Sequence, residues 1–302
     1  MSQINRIDGG LIDQEKVLNF TFNGQILKGC EGDTLASALL ANNKHLIGRS
    51  FKYHRPRGIV TAGSEEPNAI MEIGNGAYKD PNTRATVTQL YNGLEANSQN
   101  HRGPLSFDFM AITDFLSPLL GAGFYYKTFM WPKSFWEKFY EPAIRKSAGL
   151  GTLSTEADPD TYDKGFRHCD ILIIGSGATG LSAALTAAES GAKIILADED
   201  FLMGGRLNSE TNEIDGIAGS EWAKKTVAKL DVMENVTLMS DTTIFGAYDH
   251  GIYGAIENRA SEARKDNDKP RQVNWRIYTK RAILCAGATE RLIAFGNNDR
   301  PG

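Results

Sequence analysis

The chain has 302 residues, enough for two domains at roughly 100–200 residues each. Hydrophobic residues make up 41%, so a normal core can form, while 33 Lys+Arg against 37 Asp+Glu leave a net charge of −4. That balance excludes a global basic field for nucleic acid. Three widely spaced cysteines, Cys30, Cys169 and Cys285, with no C-x-x-C pair, argue against a disulfide framework and a structural zinc site. The N-terminus "MSQINRIDGG" has no apolar signal-like stretch, so a cytoplasmic chain is expected.

In chain order, Val17–Phe22 alternates at strand period. Asn23-Gly24 predicts a two-residue hairpin turn into a second strand at 25–28. "EGDTLASALLANN" follows, with Asp33 as the expected N-cap and Leu35, Ala38 and Leu39 on one helical face. Strand, turn, strand and helix make a β-grasp-like opening. The loop 49–57 interleaves Arg49, Lys52, Arg55 and Arg57 with Phe51, Tyr53 and His54. It reads as a solvated or subunit-facing loop. Residues 82–165 carry little regular signal. Within them, 109–131 is the most apolar window, but Asp114, Pro118 and Lys127 interrupt it. It is therefore too broken for a membrane span and reads as buried or partner-facing aromatic packing. The polar "ADPDTYDKG" at 157–165 is expected to be a linker, which sets the domain boundaries at 1–165 and 166–302.

Beyond it the pattern predicts a strand at 169–174, a helix at 178–190 ending before Gly191, and a strand at 193–198. A helix at 220–230 with Ser220 as N-cap, a strand at 236–239, a hairpin turning at His250-Gly251 and a last strand pair within 273–287 follow.

The first βα junction carries Gly175, Gly177 and Gly180 as G-x-G-x-x-G, with Asp198 at the end of the next strand. Each position has a physical task. Gly175 permits the tight turn, Gly177 lets a pyrophosphate approach the backbone, and Gly180 lets the helix pack close to its strand. The helix N-terminus, with Thr179 in its first turn, offers N–H groups and partial positive charge to phosphates. Asp198 is the expected acceptor for the adenosine ribose hydroxyls. With Glu199 and Asp200 behind it, the site favours NAD or FAD over NADP, and spacing does not separate those two. Arg206 is the only nearby cation, and Gly287 lies in the small-residue turn where a later strand returns to the cofactor. "MGGRL" (203–207) and "AILCAGATER" (282–291) are features of large flavoprotein-like two-dinucleotide folds.

"NTRATVTQLYNGLEANSQN" (82–100), "GFYYKTFMWP" (123–132) and "AGATERLIAFGNNDRPG" (286–302) resemble the α subunit of heterotetrameric sarcosine oxidase. So do "RIDGGLID" (6–13) and "GRSFKYHRPRGIVTAGSEEPNA" (48–69). The resemblance implies an α/β chain with an α+β N-terminal part. A β-grasp, ferredoxin-like domain without a cluster would precede a Rossmann-like, doubly wound FAD/NAD(P)-binding domain, here truncated in mid-loop at Pro301-Gly302. It further implies bound NAD, with Thr179 beside the glycines of the pyrophosphate turn, Glu199 and Asp200 with Asp198 near the adenosine ribose, Arg206 within reach of phosphate or ribose and Ile244 at the strand end that meets adenine, and β, γ and δ partner subunits. FAD and amine oxidation would lie on β, FMN at the α/β interface, and a tetrahydrofolate-binding half outside this chain. No residue here matches the amine-oxidising site, so no catalytic residue is assigned. Related opine, amine or cyanide-forming glycine oxidase α chains, or a non-catalytic dinucleotide-binding scaffold, are the alternatives.

A plant-type iron–sulfur cluster needs C-x₄-C-x₂-C and a distant fourth cysteine. Only Cys30 lies in this region, so no cluster is expected, and Cys169 and Cys285 read as small core residues. His54, His101 and His250 lack companions at ligand spacing, and no metal site is assigned. No G-x-S-x-G elbow or Ser/His/Asp arrangement suggests a hydrolase.

Overall fold

A computed structural model describes residues 3–7, 10–121, 123–124, 127, 129–147, 151–259, 269–289, 291 and 293–298. The chain divides into two compact units. One comprises Met1–Pro159 with Thr289–Gly302, and the other Asp160–Ala288.

The first unit is a β-grasp. Strand β1 (Asp13–Phe22) turns through Asn23 and Gly24, both at positive φ, into β2 (Gln25–Glu31), with Phe22 paired to Gln25. Helix α1 (Leu35–Ala41) follows, then the short pair β3 (Gly48–Arg49) and β4 (Pro56–Arg57). The sheet is completed by β5 (Ile70–Ile73), β6 (Asp80–Arg84) and β7 (Leu94–Ser98), in the order β2-β1-β7-β5-β6, with β7 parallel to β1. Phe20, Leu35, Leu39, Ile47, Met71 and Leu94 form its core.

The cap of α1 differs from the expectation of Asp33. Thr34 is the N-cap: its Oγ1 accepts from Ser37 N–H at 3.1 Å, and Ser37 Oγ accepts from Thr34 N–H at 3.0 Å. Asp33 is engaged elsewhere. Fully buried, it takes the Arg6 guanidinium at 2.6 and 3.2 Å and Cys30 N–H at 2.8 Å.

The basic loop uses much of its charge within the chain. Arg49 donates to the Leu105 and Ser106 carbonyls, Tyr53 Oη to the Leu120 carbonyl, and Arg55 to Asp114. His54, at φ 53 and almost fully buried, meets Asp108 Oδ2 through Nδ1 at 2.6 Å. The loop thus clamps residues 105–120 from one side. Phe109, Ile112, Phe115 and Leu119 remain exposed, as does Trp131 further along. Of the peptide 123–132, residues 125, 126 and 128 lie outside the described ones. Helix α2 (Glu141–Ser147) follows.

Burial pushes the Asp108 carboxyl up, but the Arg102 and Met110 N–H groups and the His54 ring overcome it and hold the group below the usual range. A carboxyl depressed in the folded state contributes stability above its unfolded value near ~3.9, and that contribution is lost as pH falls through the folded value. Thermal melts from pH 6 down to pH 3 are therefore expected to fall more steeply for the native chain than for Asp108→Asn, whose midpoint starts lower.

The second unit is built on a six-stranded sheet ordered β12-β9-β8-β15-β14-β13. Strand β8 (Tyr162–Ile174), helix α3 (Ala178–Glu189) and β9 (Ile194–Ala197) form the first βαβ unit, with Gly191 at φ 82 behind the helix. The small pair β10 (Glu213–Ile214) and β11 (Ile217–Ala218) precedes α4 (Gly219–Asp231) and β12 (Val236–Met239). Strands β13 (Thr242–Tyr248) and β14 (Ile252–Asn258) turn at His250 and Gly251, φ 63 and 71, and β15 (Gln272–Leu284) returns to the centre.

Three expectations are corrected here. The linker reading of 157–165 overlaps β8, which begins at Tyr162; its first half is polar because that half is largely exposed, and β15 pairs with it. The expected last strand pair is one strand, antiparallel to β14 over 272–278 and parallel to β8 over its full length. Helix α4 starts at Gly219 with Ala218 as its N-cap (φ −53, ψ 136) and no side-chain cap from Ser220. Cys169 is buried in the core beside Leu172, Ile195 and Ile277. Cys285 lies just past β15 and is partly buried.

Candidate dinucleotide site

The site grows from how β8 hands over to α3. Gly175 sits at φ 99, a conformation that favours glycine, and a Cβ there would lie 2.5 Å from the Cys285 carbonyl oxygen. The chain leaving β15 is therefore pressed against the turn, and Cys285 N–H also donates to the Ile174 carbonyl at 2.7 Å. A Cβ on Gly180 would fall 1.8 Å from the Gly175 carbonyl oxygen, so helix and turn are in backbone contact. Gly177 contrasts with both: a Cβ there meets nothing within 4 Å.

Gly177 is the N-cap of α3 and has no side-chain cap. The first helical bond runs from Leu181 N–H to the Gly177 carbonyl at 2.9 Å. The N–H groups of Ala178, Thr179 and Gly180 thus point out of the helix end, where the helix dipole favours an anion. Thr179 is exposed on this first turn.

Asp198 directly follows β9 and is 8% exposed. Its Oδ2 accepts from Ser176 N–H and its Oδ1 from Asp200 N–H at 2.9 Å. Its own backbone is held on both sides, N–H to the Met239 carbonyl and carbonyl to Thr242 N–H at 2.7 Å. A carboxylate has about four acceptor positions, so two backbone donors leave capacity for ribose hydroxyls. Glu199 and Asp200 follow it at the surface.

Ser176 is a part of this site that sequence reasoning missed. It is fully buried, and its Oγ accepts from Gly204 N–H at 3.0 Å. It therefore ties the glycine turn to Asp198 through its N–H and to the Gly204-Gly205 loop through its hydroxyl. A Cβ on Gly205 would lie 3.0 Å from Gly177 Cα, so the two glycine loops touch. Nothing in a G-x-G-x-x-G pattern marks the residue after the first glycine. Its serine gains meaning only when the fold delivers the Gly204 N–H.

The remaining candidates lie around this centre. Arg206, in a single 3₁₀ turn after Gly204, pairs with Glu210 at 2.7 Å, and this hydrogen bond holds the Glu210 carboxyl below its usual range. Ile244 stands opposite Ala255 in the β13–β14 ladder, two residues past Thr242, and packs partly buried on the core around Ile277. Gly287 has φ 65 and nothing within 4 Å of a Cβ position. Among the described residues no group of three or more His, Cys, Asp or Glu is placed to hold a metal ion, and no helix is long and apolar enough to cross a membrane.

Two family models match the chain: "2Fe-2S iron-sulfur cluster binding domain" over residues 15–101 and "FAD dependent oxidoreductase" over residues 170–267. The chain is 55% identical over 294 residues to the sarcosine oxidase subunit alpha of Rhizobium meliloti (strain 1021), covering 97% of this chain and 30% of that protein. It is 33% identical over 300 residues to the sarcosine oxidase subunit alpha of Corynebacterium sp. (strain U-96), covering 97% of this chain and 26% of that one. The chain thus spans about 30% or less of the length of these curated relatives. The L-proline dehydrogenase of P. horikoshii shares the fold, with a TM-score of 0.58 at 20% identity, covering 96% of this chain and 44% of that one.

A ferredoxin-type domain followed by an FAD-dependent-oxidoreductase-type domain is therefore the architecture. The dinucleotide fits the second domain, since the open helix end, the cradle that a Cβ at Gly177 would enter and Asp198 offer matching donors and acceptors. The cluster named for the first domain does not fit. Cys30 is the only cysteine between residues 15 and 101, it is buried on β2, and burial pushes its thiol up.

Proposed function

We propose that this chain, homologous to the N-terminal part of sarcosine oxidase alpha subunits and carrying an oxidoreductase-type dinucleotide fold, is the NAD-binding part of such an alpha subunit. The assembly would be a cytoplasmic heterotetramer with β, γ and δ subunits. It would oxidatively demethylate sarcosine to glycine with oxygen, giving peroxide and formaldehyde or methylenetetrahydrofolate. Amine oxidation would take place on the flavin of the partner subunit, with FMN at the shared interface and tetrahydrofolate bound outside this chain.

The observation that carries this reading is the glycine turn itself: Gly180 against Gly175, an uncapped α3 N-terminus, and Asp198 beside both. In it, Ala178, Thr179 and Gly180 would bind the pyrophosphate through N–H groups, with Arg206 at its side. Asp198 would orient the adenosine ribose, Glu199 and Asp200 would disfavour a 2′-phosphate, and backbone at Ile244 and Gly287 would border the adenine and the turn. A bound dinucleotide supplies a hydride acceptor or donor. This chain's residues supply binding and orientation.

FAD in the same turn is the second reading, favoured by the match of residues 170–267 to an FAD-dependent family. The test is the nucleotide released when the full-length alpha chain, separated from its flavin-carrying partner subunits, is denatured. NAD free of flavin's visible absorbance is expected from a preparation of the isolated full-length alpha chain. Released FAD would replace the NAD reading. The intact assembly is expected to form peroxide when given sarcosine, and its failure to do so would remove the substrate from the proposal.

A further inference from the structure

Glu66 is a fully buried carboxylate in the loop that follows β4, and it belongs to none of the chemistry above. Its Oε2 accepts from Val60 N–H at 2.9 Å, Thr61 N–H at 2.7 Å and Thr61 Oγ1 at 3.1 Å. Its Oε1 accepts from Asn68 N–H at 2.7 Å and Ala69 N–H at 3.2 Å. Five donors from two stretches of one loop converge on a single side chain. Converging backbone N–H groups of this kind make the concave anion sites that phosphates and iron–sulfur clusters use.

A second segment closes the arrangement. Arg84 Nε donates to the Glu66 carbonyl at 3.1 Å, Thr86 Oγ1 to the Gly63 carbonyl at 2.7 Å, and Ala85 N–H to the Ala69 carbonyl at 2.9 Å. One loop joined to a distant segment is also the layout a plant-type cluster requires, with three cysteines in a loop and a fourth from elsewhere. Here neither stretch has a cysteine.

We infer that Glu66 is a built-in anion: its carboxylate fills the N–H cradle of residues 60–69 and organises this domain, whose family is named for a metal cluster that neither segment has a cysteine to hold. The domain keeps the loop-and-segment layout, and a side chain holds it together in place of inorganic ligation. One corollary is sharp. Deleting the carboxylate leaves a cradle of the right size and polarity for a small free carboxylate.

The test uses the full-length chain in its assembly, with thermal denaturation as readout. Glu66→Ala is expected to melt lower than the native chain. Formate is expected to raise its midpoint by on the order of a few degrees, because a ligand that binds only the folded state stabilises it by mass action. Formamide, the neutral isostere, is expected to do nothing, and the native chain, whose cradle is filled, is expected to ignore both. Glu66→Gln decides the matter where Glu66→Ala yields no folded protein. An amide nitrogen on either side faces at least two donors, so this variant is expected to melt well below the native chain. A Glu66→Gln variant as stable as the native chain, or a folded Glu66→Ala variant indifferent to formate, overturns the inference.

Discussion

Replacing Gly180 by alanine is expected to strip the protein of its nucleotide and to destabilise the second unit by about 1–3 kcal/mol or more, the usual range for overpacking. The new Cβ would lie 1.8 Å from the Gly175 carbonyl oxygen and 3.4 Å from Cys285 Cβ. No flexible side-chain tip stands in the way that could swing aside. The obstacle is backbone, and Gly175 cannot retreat because the Cys285 carbonyl lies behind it. Relief requires α3 to move away from β8, which carries the N–H groups of residues 178–180 off the phosphate position. Gly177→Ala is the informative companion. Its φ of −66 suits any residue and its Cβ meets no protein atom within 4 Å. Its melting midpoint is expected to stay within about 0.5 kcal/mol of native, while nucleotide affinity falls because the methyl group enters the ligand's space. Calorimetric titration and thermal melts on the two variants separate the roles. If Gly177→Ala binds nucleotide as the native chain does, the pyrophosphate does not lie over this turn.

These glycines were legible in the sequence because each answers to a local backbone demand: a positive φ, a close approach, an open helix end. The hairpin turns at Asn23-Gly24 and His250-Gly251 were legible for the same reason. Strand β7 was not, since its pairing of Leu94 with Phe20 joins residues far apart in sequence and nothing near Leu94 announces it. The polar half of β8 was illegible because an exposed strand flanked by Asp, Lys and Gly has the composition of a linker. Asp33 suited a helix cap by residue type. Only the fold shows that Arg6 holds it, leaving the cap to Thr34. Ser176 and Glu66 share this character. Their chemistry is set by donors that arrive from other segments, and residue type alone does not distinguish them from loop filler. The sequence pattern therefore conveys where a ligand fits, and the tertiary contacts convey what keeps the cradle rigid.

Asp198→Asn tests that second kind of information directly. The native carboxylate accepts on both oxygens, from Ser176 N–H and from Asp200 N–H at 2.9 Å. An asparagine amide has one acceptor oxygen, so its NH₂ must face one of these two donors inside a nearly closed site. Leaving a buried donor unsatisfied costs about 1–3 kcal/mol, and the melting midpoint is expected to fall accordingly. The disturbance also has a path to the ligand. Ser176 carries Asp198 on its N–H and Gly204 on its hydroxyl, and the loop of Gly204 and Gly205 lies against Gly177. If Asp198 also accepts from the ribose, the variant loses a ligand contact as well as the tie, and its Kd is expected to rise at least tenfold, a change of about 1.4 kcal/mol. Loss of the negative charge should in addition narrow the preference for NAD over its 2′-phosphorylated form. Glu199→Gln, at the exposed neighbouring position, is expected to leave the midpoint within about 0.5 kcal/mol. The two effects of Asp198→Asn are separable by measurement. A lowered midpoint with unchanged affinity would make Asp198 a support of the turn alone, and the ribose would then have to be held by another group.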